Sequence, residues 1–110
     1  MNNEINALLE AIKTDYVQWW SRRGERDLSD IQQNMVEEFN AGLEVEEGRK
    51  YIKIISNRSV WGFIVKADTN KFRKGDILKA ASWKAPATNA PRGNILDGGY
   101  TINWTGPRYL

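Results

Sequence analysis

The segment GLEVEEGRKYIKIISNRSVWGFIV, residues 42–65, marks the change from a helical pattern to a strand pattern. Apolar residues alternate with glutamates at its start, and two β-rich runs follow at 51–55 and 60–65. The polar residues 57–59 separate these runs, and so short a connection predicts a β-hairpin. Gly62 lies inside the second run and predicts a bulge or a close approach of the backbone to another segment.

Two amphipathic helices are predicted before this segment. Apolar residues at helical spacing predict the first helix from about residue 4 to 22; they are Ile5, Leu8, Leu9, Ile12, Tyr16, Trp19 and Trp20. The stretch 29–32, Ser-Asp-Ile-Gln, fits a capping box that opens the second helix, which ends at Gly42. The apolar stripe of the second helix consists of Ile31, Met35 and Phe39.

Helices followed by strands predict an α+β fold in a single domain, residues 1–110. We expect two N-terminal amphipathic helices packed on an antiparallel sheet of about four to five strands, completed by a short strand at 77–80 and a final strand at 100–104. The long segment between them, ASWKAPATNAPRGNILDGGY (81–100), predicts an ordered loop before the last strand. Its expected anchors are Trp83, Ile95 and Leu96, with Lys84, Asn89 and Arg92 directed outward.

The residue types that are missing limit the chemistry. The chain has neither cysteine nor histidine, which excludes disulfides, thiolate metal sites and an imidazole base. No dinucleotide or phosphate-loop motif is present, so we expect no catalytic, cofactor-binding or metal-binding residues and no enzyme activity. The N-terminus lacks the pattern of a signal peptide, and no apolar run is long enough to cross a membrane, which predicts a cytoplasmic protein without membrane contact.

Charge is distributed unevenly along the chain. Residues 1–55 hold 7 Lys/Arg and 11 Asp/Glu (−4), whereas residues 56–110 hold 9 Lys/Arg and 3 Asp/Glu (+6). The two halves either neutralise each other, which we favour, or the second half forms a basic binding face. The basic set is Arg58, Lys66, Lys71, Arg73, Lys74, Lys79, Lys84, Arg92 and Arg108. The candidate binding surface consists of Arg73, Lys74, Trp83, Lys84, Asn89 and Arg92.

Tryptophans are the other candidate contact residues. Trp19 and Trp20 are adjacent on the first helix and point about 100° apart, so both cannot face one core centre. Either one is buried while the other covers the edge of the domain, or the pair forms a partner or homodimer interface. Strand alternation places Trp61, Phe63 and Val65 on one face, where core packing is favoured over base stacking.

Three blocks carry a resemblance to a known group of proteins: YIKIISNRSVWGFIV, KFRKGDILKAASWKAPATNAPRGNI and YTINWTGP. Their order, over roughly residues 50–107, resembles that of small proteins of tailed bacteriophages, particularly marine ones, whose function is not established. The resemblance implies expression in the bacterial cytoplasm during infection and supplies no activity.

The count of five tryptophans and the missing catalytic groups together favour a non-catalytic protein-interaction module, with a host or phage protein as partner. The alternative is a nucleic-acid-binding module that uses the basic second half. Salt-sensitive retention on DNA or RNA would distinguish the two.

Overall fold

The computed structural model describes residues 1–21 and 28–107. Within these ranges the elements are α1 (Asn2–Ser21), α2 (Asp30–Ala41), β1 (Leu43–Glu47), β2 (Tyr51–Ser56), β3 (Ser59–Val65), β4 (Ile77–Leu78), β5 (Ile102–Asn103) and β6 (Gly106–Pro107). The first four strands form an antiparallel sheet in the order β1-β2-β3-β4, and β5 pairs with β6 separately. The predicted α+β class is confirmed. The predicted end of the first helix, at residue 22, lies outside the described residues.

The predicted capping box at the start of α2 is confirmed. The Gln32 amide donates a hydrogen bond to Ser29 Oγ (3.2 Å), and the Ser29 amide donates to Gln32 Oε1 (3.0 Å). Gly42 closes the helix by donating its amide to the Glu38 carbonyl (3.0 Å). Strand β1, at the edge of the sheet, begins at the next residue, so the end of α2 lies directly beside that edge.

The apolar stripe of α2 is only partly buried, which corrects the sequence prediction. Phe39 is 1% exposed and stacks on Tyr16 of α1, with ring centroids 3.9 Å apart and planes 7° apart. In contrast, Ile31 is 74% exposed and Met35 is 36% exposed. The core therefore covers the last turn of α2 and leaves its first turns open.

The predicted hairpin connects β2 and β3 through a turn of two residues. Ser56 pairs with Ser59, and the intervening Asn57 and Arg58 have φ values of 48° and 66°. Positive φ at both central positions is the signature of a type I′ turn, in which asparagine is favoured first and glycine second. Arg58 therefore occupies a position that suits glycine better.

Replacing Arg58 with glycine is expected to stabilise the fold by about 1 kcal/mol, because a non-glycine residue in the left-handed region costs about 1–2 kcal/mol and part of that gain is offset by the entropy of glycine. Urea unfolding followed by circular dichroism measures the change. Arg58→Ala is the matched control, since it removes the same side chain but keeps a Cβ. If the alanine variant is stabilised equally, the gain does not come from the backbone.

A bulge in β3 reverses the expected direction of one tryptophan. The register shifts between Ile54, which pairs with Gly62, and Ile55, which pairs with Val60, so that Trp61 is the extra residue. Trp61 consequently packs in the cluster under the helices, whereas Phe63 lies on the opposite face. The prediction that these two side chains share a face is wrong, and the predicted bulge is confirmed.

Both faces of the four-stranded sheet carry buried apolar residues. The helix face packs β2, β3 and β4 side chains against α1 and α2; its centre consists of Leu8, Ile12, Phe39, Ile54, Ile64 and Ile77. The opposite face holds a smaller cluster of Phe63, Val65, Phe72 and Leu78. No helix covers this second face among the residues that the structure describes, and the partly buried side chains packed against its cluster are Tyr51, Val60 and Ala80.

The predicted final strand does not join the main sheet. Ile102 and Asn103 pair instead with Pro107 and Gly106 in a small hairpin. The outer edge of β4 is paired with the long loop and not with the final strand. The Arg92 amide donates to the Ile77 carbonyl (2.7 Å), and the Ile77 amide donates to the Gly93 carbonyl (2.8 Å). The β5–β6 hairpin packs over β3 on the helix side. The hydrogen bonds to β4 order the long loop, as expected.

Candidate functional site

The structure separates the predicted site residues into distinct places. Trp19 and Trp20 lie at the end of α1; Trp83 and Lys84 cover the sheet face opposite the helices; Arg73 and Arg92 line a groove beside β4. Lys74 and Asn89 are exposed elsewhere, and Arg108 lies outside the described residues. The basic residues singled out from the sequence therefore do not form one patch.

Trp19 stands at a surface groove between α1 and the β5–β6 hairpin. The groove, here called the tryptophan groove, has a volume of about 450 Å³ and is lined by Asp15, Gln18, Trp19, Asn103, Trp104 and Thr105. Trp19 is 58% exposed, and its ring lies 5.6 Å from that of Trp104 at 60°. Trp20 is half-buried against the core, so of the two adjacent tryptophans it is Trp19 that is available for contact.

Two hydrogen bonds hold Trp104 in this position. Its amide donates to Asp15 Oδ2 of α1 (2.8 Å), and the Trp61 Nε1 group donates to the carbonyl of the preceding residue, Asn103 (2.9 Å). The Trp104 ring meets Tyr16 edge-on at 4.9 Å. The hairpin is thus fixed to both α1 and β3, and the groove has an aromatic wall with a carboxylate beside it.

A tight turn presents Trp83 over the second face of the sheet. The Ala81 and Ser82 amides both donate to the Ala85 carbonyl, at 3.0 and 3.1 Å, and the turn is closed by the bridge between Ala80 and Pro86. Trp83 is 49% exposed. Its ring lies 4.7 Å from the Lys53 Nζ atom, within the range of a cation–π contact. The predicted anchoring role of Trp83 is therefore only partial.

Next to Trp83 is a small depression with an aromatic floor, here called the Tyr51 pocket. It has a volume of about 220 Å³ and is lined by Glu46, Gly48, Arg49, Lys50, Tyr51, Lys53, Phe63 and Lys84. The Tyr51 and Phe63 rings are in edge contact, with centroids 5.9 Å apart. Four cations surround this pocket against one carboxylate, Glu46, which lies 3.9 Å from Lys53 Nζ.

Arg73 and Arg92 line a third depression of about 550 Å³ beside β4, the Arg92 groove. Arg73 forms a two-pronged ion pair with Asp97 (3.0 and 3.2 Å); the hydrogen bond raises the pKa of Arg73 and lowers the pKa of Asp97. Asp76 also lines the groove, so its two cations are balanced by two carboxylates. The Nε and Nη1 atoms of Arg92 are buried with no hydrogen-bond partner among the described residues.

Two expectations for the long loop are corrected at this point. Arg92 was expected to point outward, yet two of its guanidinium atoms are buried, because its backbone is hydrogen-bonded along β4. Leu96 was expected to anchor the loop but is 44% exposed, whereas Ile95 is 4% exposed and does so. Burial raises the pKa of Tyr100 at the end of the same segment.

Comparison with known proteins places the chain in a family. The model of DUF7717, described as a family of unknown function, matches residues 1–109. The chain belongs to the DUF7717 family. No curated protein and no solved structure matches the chain. This match does not bear on the resemblance to tailed-phage proteins, which stays a prediction.

Among residues 1–21 and 28–107, no group of three or more Asp and Glu side chains is placed to hold a metal ion. Neither described helix is long and apolar enough to cross a membrane.

Sequence reasoning missed the partners that complete each surface. Trp104 was treated as a strand residue, but it lies in the two-residue turn between Asn103 and Gly106, where small and polar residues are more usual. Asp15 carries no local signal, since its contact with Trp104 spans 89 residues. Arg49 and Lys50 were overlooked because they belong to the half of the sequence with a net negative charge.

Proposed function

We propose that this chain is a non-catalytic protein-interaction module that binds a basic segment of a partner protein in the tryptophan groove. The observation that carries the proposal is the 58% exposure of the Trp19 ring beside the Asp15 carboxylate. A tryptophan exposed at the rim of a preformed groove is a common anchor of protein interfaces. The hydrogen bonds that fix Trp104 keep the groove open without a ligand.

The negative charge of Asp15 in the groove favours a positively charged partner. Among the residues that line the groove, Asp15 is the one with a charged side chain. A lysine or arginine side chain that enters the groove would lie against the Trp19 ring and within reach of the Asp15 carboxylate, combining a cation–π contact with charge attraction. Phosphate groups would be repelled at the same place. A basic protein segment therefore fits this groove better than a nucleic acid.

The test uses nuclear magnetic resonance of the indole N–H groups. We expect the peptide acetyl-GRGRGR-amide to shift the Trp19 and Trp104 signals with a dissociation constant of about 1 mM, since a short flexible peptide retains only about 4 kcal/mol of binding free energy. Trp19→Ala should weaken binding about tenfold, corresponding to loss of about 1.4 kcal/mol. Asp15→Asn keeps an oxygen for the Trp104 amide and removes the charge, so it should weaken binding about threefold.

The matched control is acetyl-GEGEGE-amide, which should leave both indole signals unchanged. Equal shifts with the acidic peptide, or none with the basic one, would refute the proposed partner chemistry. Sedimentation of the protein alone addresses another occupant. If the wild-type chain dimerises and Trp19→Ala is a monomer, the groove binds a second copy and the proposal of a basic partner fails.

A further inference from the structure

The sheet face opposite the helices carries two partly exposed aromatic rings in neighbouring depressions, Tyr51 in the Tyr51 pocket and Trp83 in a second one, which share Glu46. Trp83 is held over this face by its tight turn and remains 49% exposed. Tyr51 is half-buried in the adjacent pocket and supported from below by Phe63, at 5.9 Å. Both rings flank Lys53, whose Nζ lies 4.7 Å from the Trp83 ring centre. Rigid, partly exposed rings at a positive site are suitable platforms for stacking nucleobases.

Uncompensated positive charge surrounds the Tyr51 ring, whereas the depression beside Trp83 is lined by Glu44, Glu46 and Arg58. Lys53 is near Glu46 (3.9 Å), but Arg49, Lys50 and Lys84 form no ion pair with any residue in the described ranges. These three cations come from the β1–β2 turn and from the Trp83 turn, so the fold brings together charges that are 34 residues apart in the sequence. Three free cations around an aromatic floor match the phosphates and bases of a polynucleotide.

The shape of the site favours a single strand over a duplex. The Tyr51 pocket, at about 220 Å³, is smaller than the roughly 300–1,000 Å³ of pockets that enclose a whole drug-sized ligand. It accommodates one flat group while the remainder of the ligand stays outside. In a duplex the faces of internal bases are stacked on their neighbours and unavailable, whereas an unpaired base can enter such a pocket. The Arg92 groove offers no comparable site, because its charges cancel.

We infer that the Tyr51 pocket and Trp83 bind single-stranded nucleic acid, with bases stacked on the two rings and phosphates held by Arg49, Lys50 and Lys84. This site lies on the face of the sheet opposite the tryptophan groove and does not depend on the proposed function there. The recognition is independent of sequence, since stacking and phosphate contacts carry no base code. Oligonucleotides of DNA and of RNA share this chemistry.

Fluorescence anisotropy with labelled dT12 and U12 tests the inference on the full chain. We expect dissociation constants between about 10⁻⁴ and 10⁻⁶ M, with log K falling against log salt at a slope of about −2, because three cations each contribute about −0.7 on a single strand. Trp83→Ala should weaken binding about tenfold through the loss of one stacked base. Lys84→Ala should reduce the slope by about 0.7.

Controls separate this site from the rest of the surface. Lys74→Ala removes an exposed lysine outside the pocket and should leave the slope unchanged. Trp19→Ala should leave oligonucleotide affinity unchanged, so failure here and failure of the proposed function are distinguishable. Binding of either strand that depends on Trp83 supports the inference, and the tighter strand identifies the natural ligand. Equal binding of duplex DNA or polyglutamate, or no binding at low salt, would overturn it.

Discussion

Phe39→Ala is expected to lower the free energy of unfolding by about 3–5 kcal/mol, because it removes a fully buried aromatic ring and leaves a cavity. Phe39 is 1% exposed, stacks on Tyr16 at 3.9 Å and meets the Trp104 ring edge-on at 5.9 Å. It therefore joins α2 to α1 and to the β5–β6 hairpin. Urea unfolding followed by circular dichroism measures the loss, and thermal unfolding should shift downward by on the order of 15 °C.

Ile31→Ala in the same helix is the matched control. Ile31 is 74% exposed, so the substitution should change stability by no more than about 0.5 kcal/mol. Since small domains have a total stability of about 5–15 kcal/mol, the two variants should be easily separated. Equal losses at both positions would mean that the whole apolar stripe is buried, contrary to the structure.

The stripe of α2 illustrates what a periodic pattern does and does not determine. The spacing of Ile31, Met35 and Phe39 correctly places three side chains on one helical face, and the capping box correctly places the helix start. How far the neighbouring elements extend along that face depends on α1 and on the sheet, which no local pattern encodes. The helix was predictable, but the exposed fraction of its apolar face was not.

Strand β3 shows a second limit of prediction from sequence patterns: one extra residue changes which face each side chain occupies. Strict alternation places Trp61 with Phe63, and one extra residue in the register puts them on opposite faces. Gly62 predicted an irregularity in the strand, but it did not indicate which side chain would change face. Because Trp61 turns to the helix side, its Nε1 group can hold the β5–β6 hairpin, which forms one wall of the tryptophan groove.

The candidate sites depend on contacts that counting charge along the chain cannot reveal. Dividing the sequence at its middle assigned Arg49, Lys50 and Lys53 to the acidic half, whereas the sheet places them beside Lys84. Neutralisation between the halves is also limited: Lys66–Glu47, at 2.9 Å, joins them, but Lys53–Glu46 and Arg73–Asp97 each lie within one half. The surface charge is therefore organised by sheet face and not by position in the chain.

The two proposed binding surfaces have opposite chemistry on opposite faces of one sheet. On the helix face, Trp19 is paired with the Asp15 carboxylate; on the other face, Trp83 is paired with the Lys53 ammonium group. An exposed indole takes its preference from the charge beside it, so the same residue type favours a cationic side chain at the first site and a nucleotide at the second.

Gly62→Ala is expected to lower the free energy of unfolding by about 2 kcal/mol, since overpacking at a tight site costs about 1–3 kcal/mol or more and the smaller entropy of the unfolded alanine chain returns part of it. A Cβ at this position would lie 2.9 Å from the Leu78 carbonyl oxygen and 3.0 Å from Pro107 Cγ. The Leu78 oxygen belongs to the backbone of β4, so the neighbouring strand itself would have to move. Urea unfolding measures the loss.

Gly99→Ala is the control that separates the cost of steric crowding from the cost of an unfavourable backbone conformation. A Cβ at Gly99 meets nothing within 4 Å, but its φ is +68°, so the expected cost of about 1 kcal/mol comes from the left-handed conformation alone. Gly62 is not among the glycines with positive φ, so its cost reflects crowding between β3, β4 and β6. Amide exchange should accelerate around Leu78 in Gly62→Ala and stay unchanged in Gly99→Ala. A smaller loss at Gly62 than at Gly99 would show that the three strands are not in the close contact on which the tryptophan groove depends.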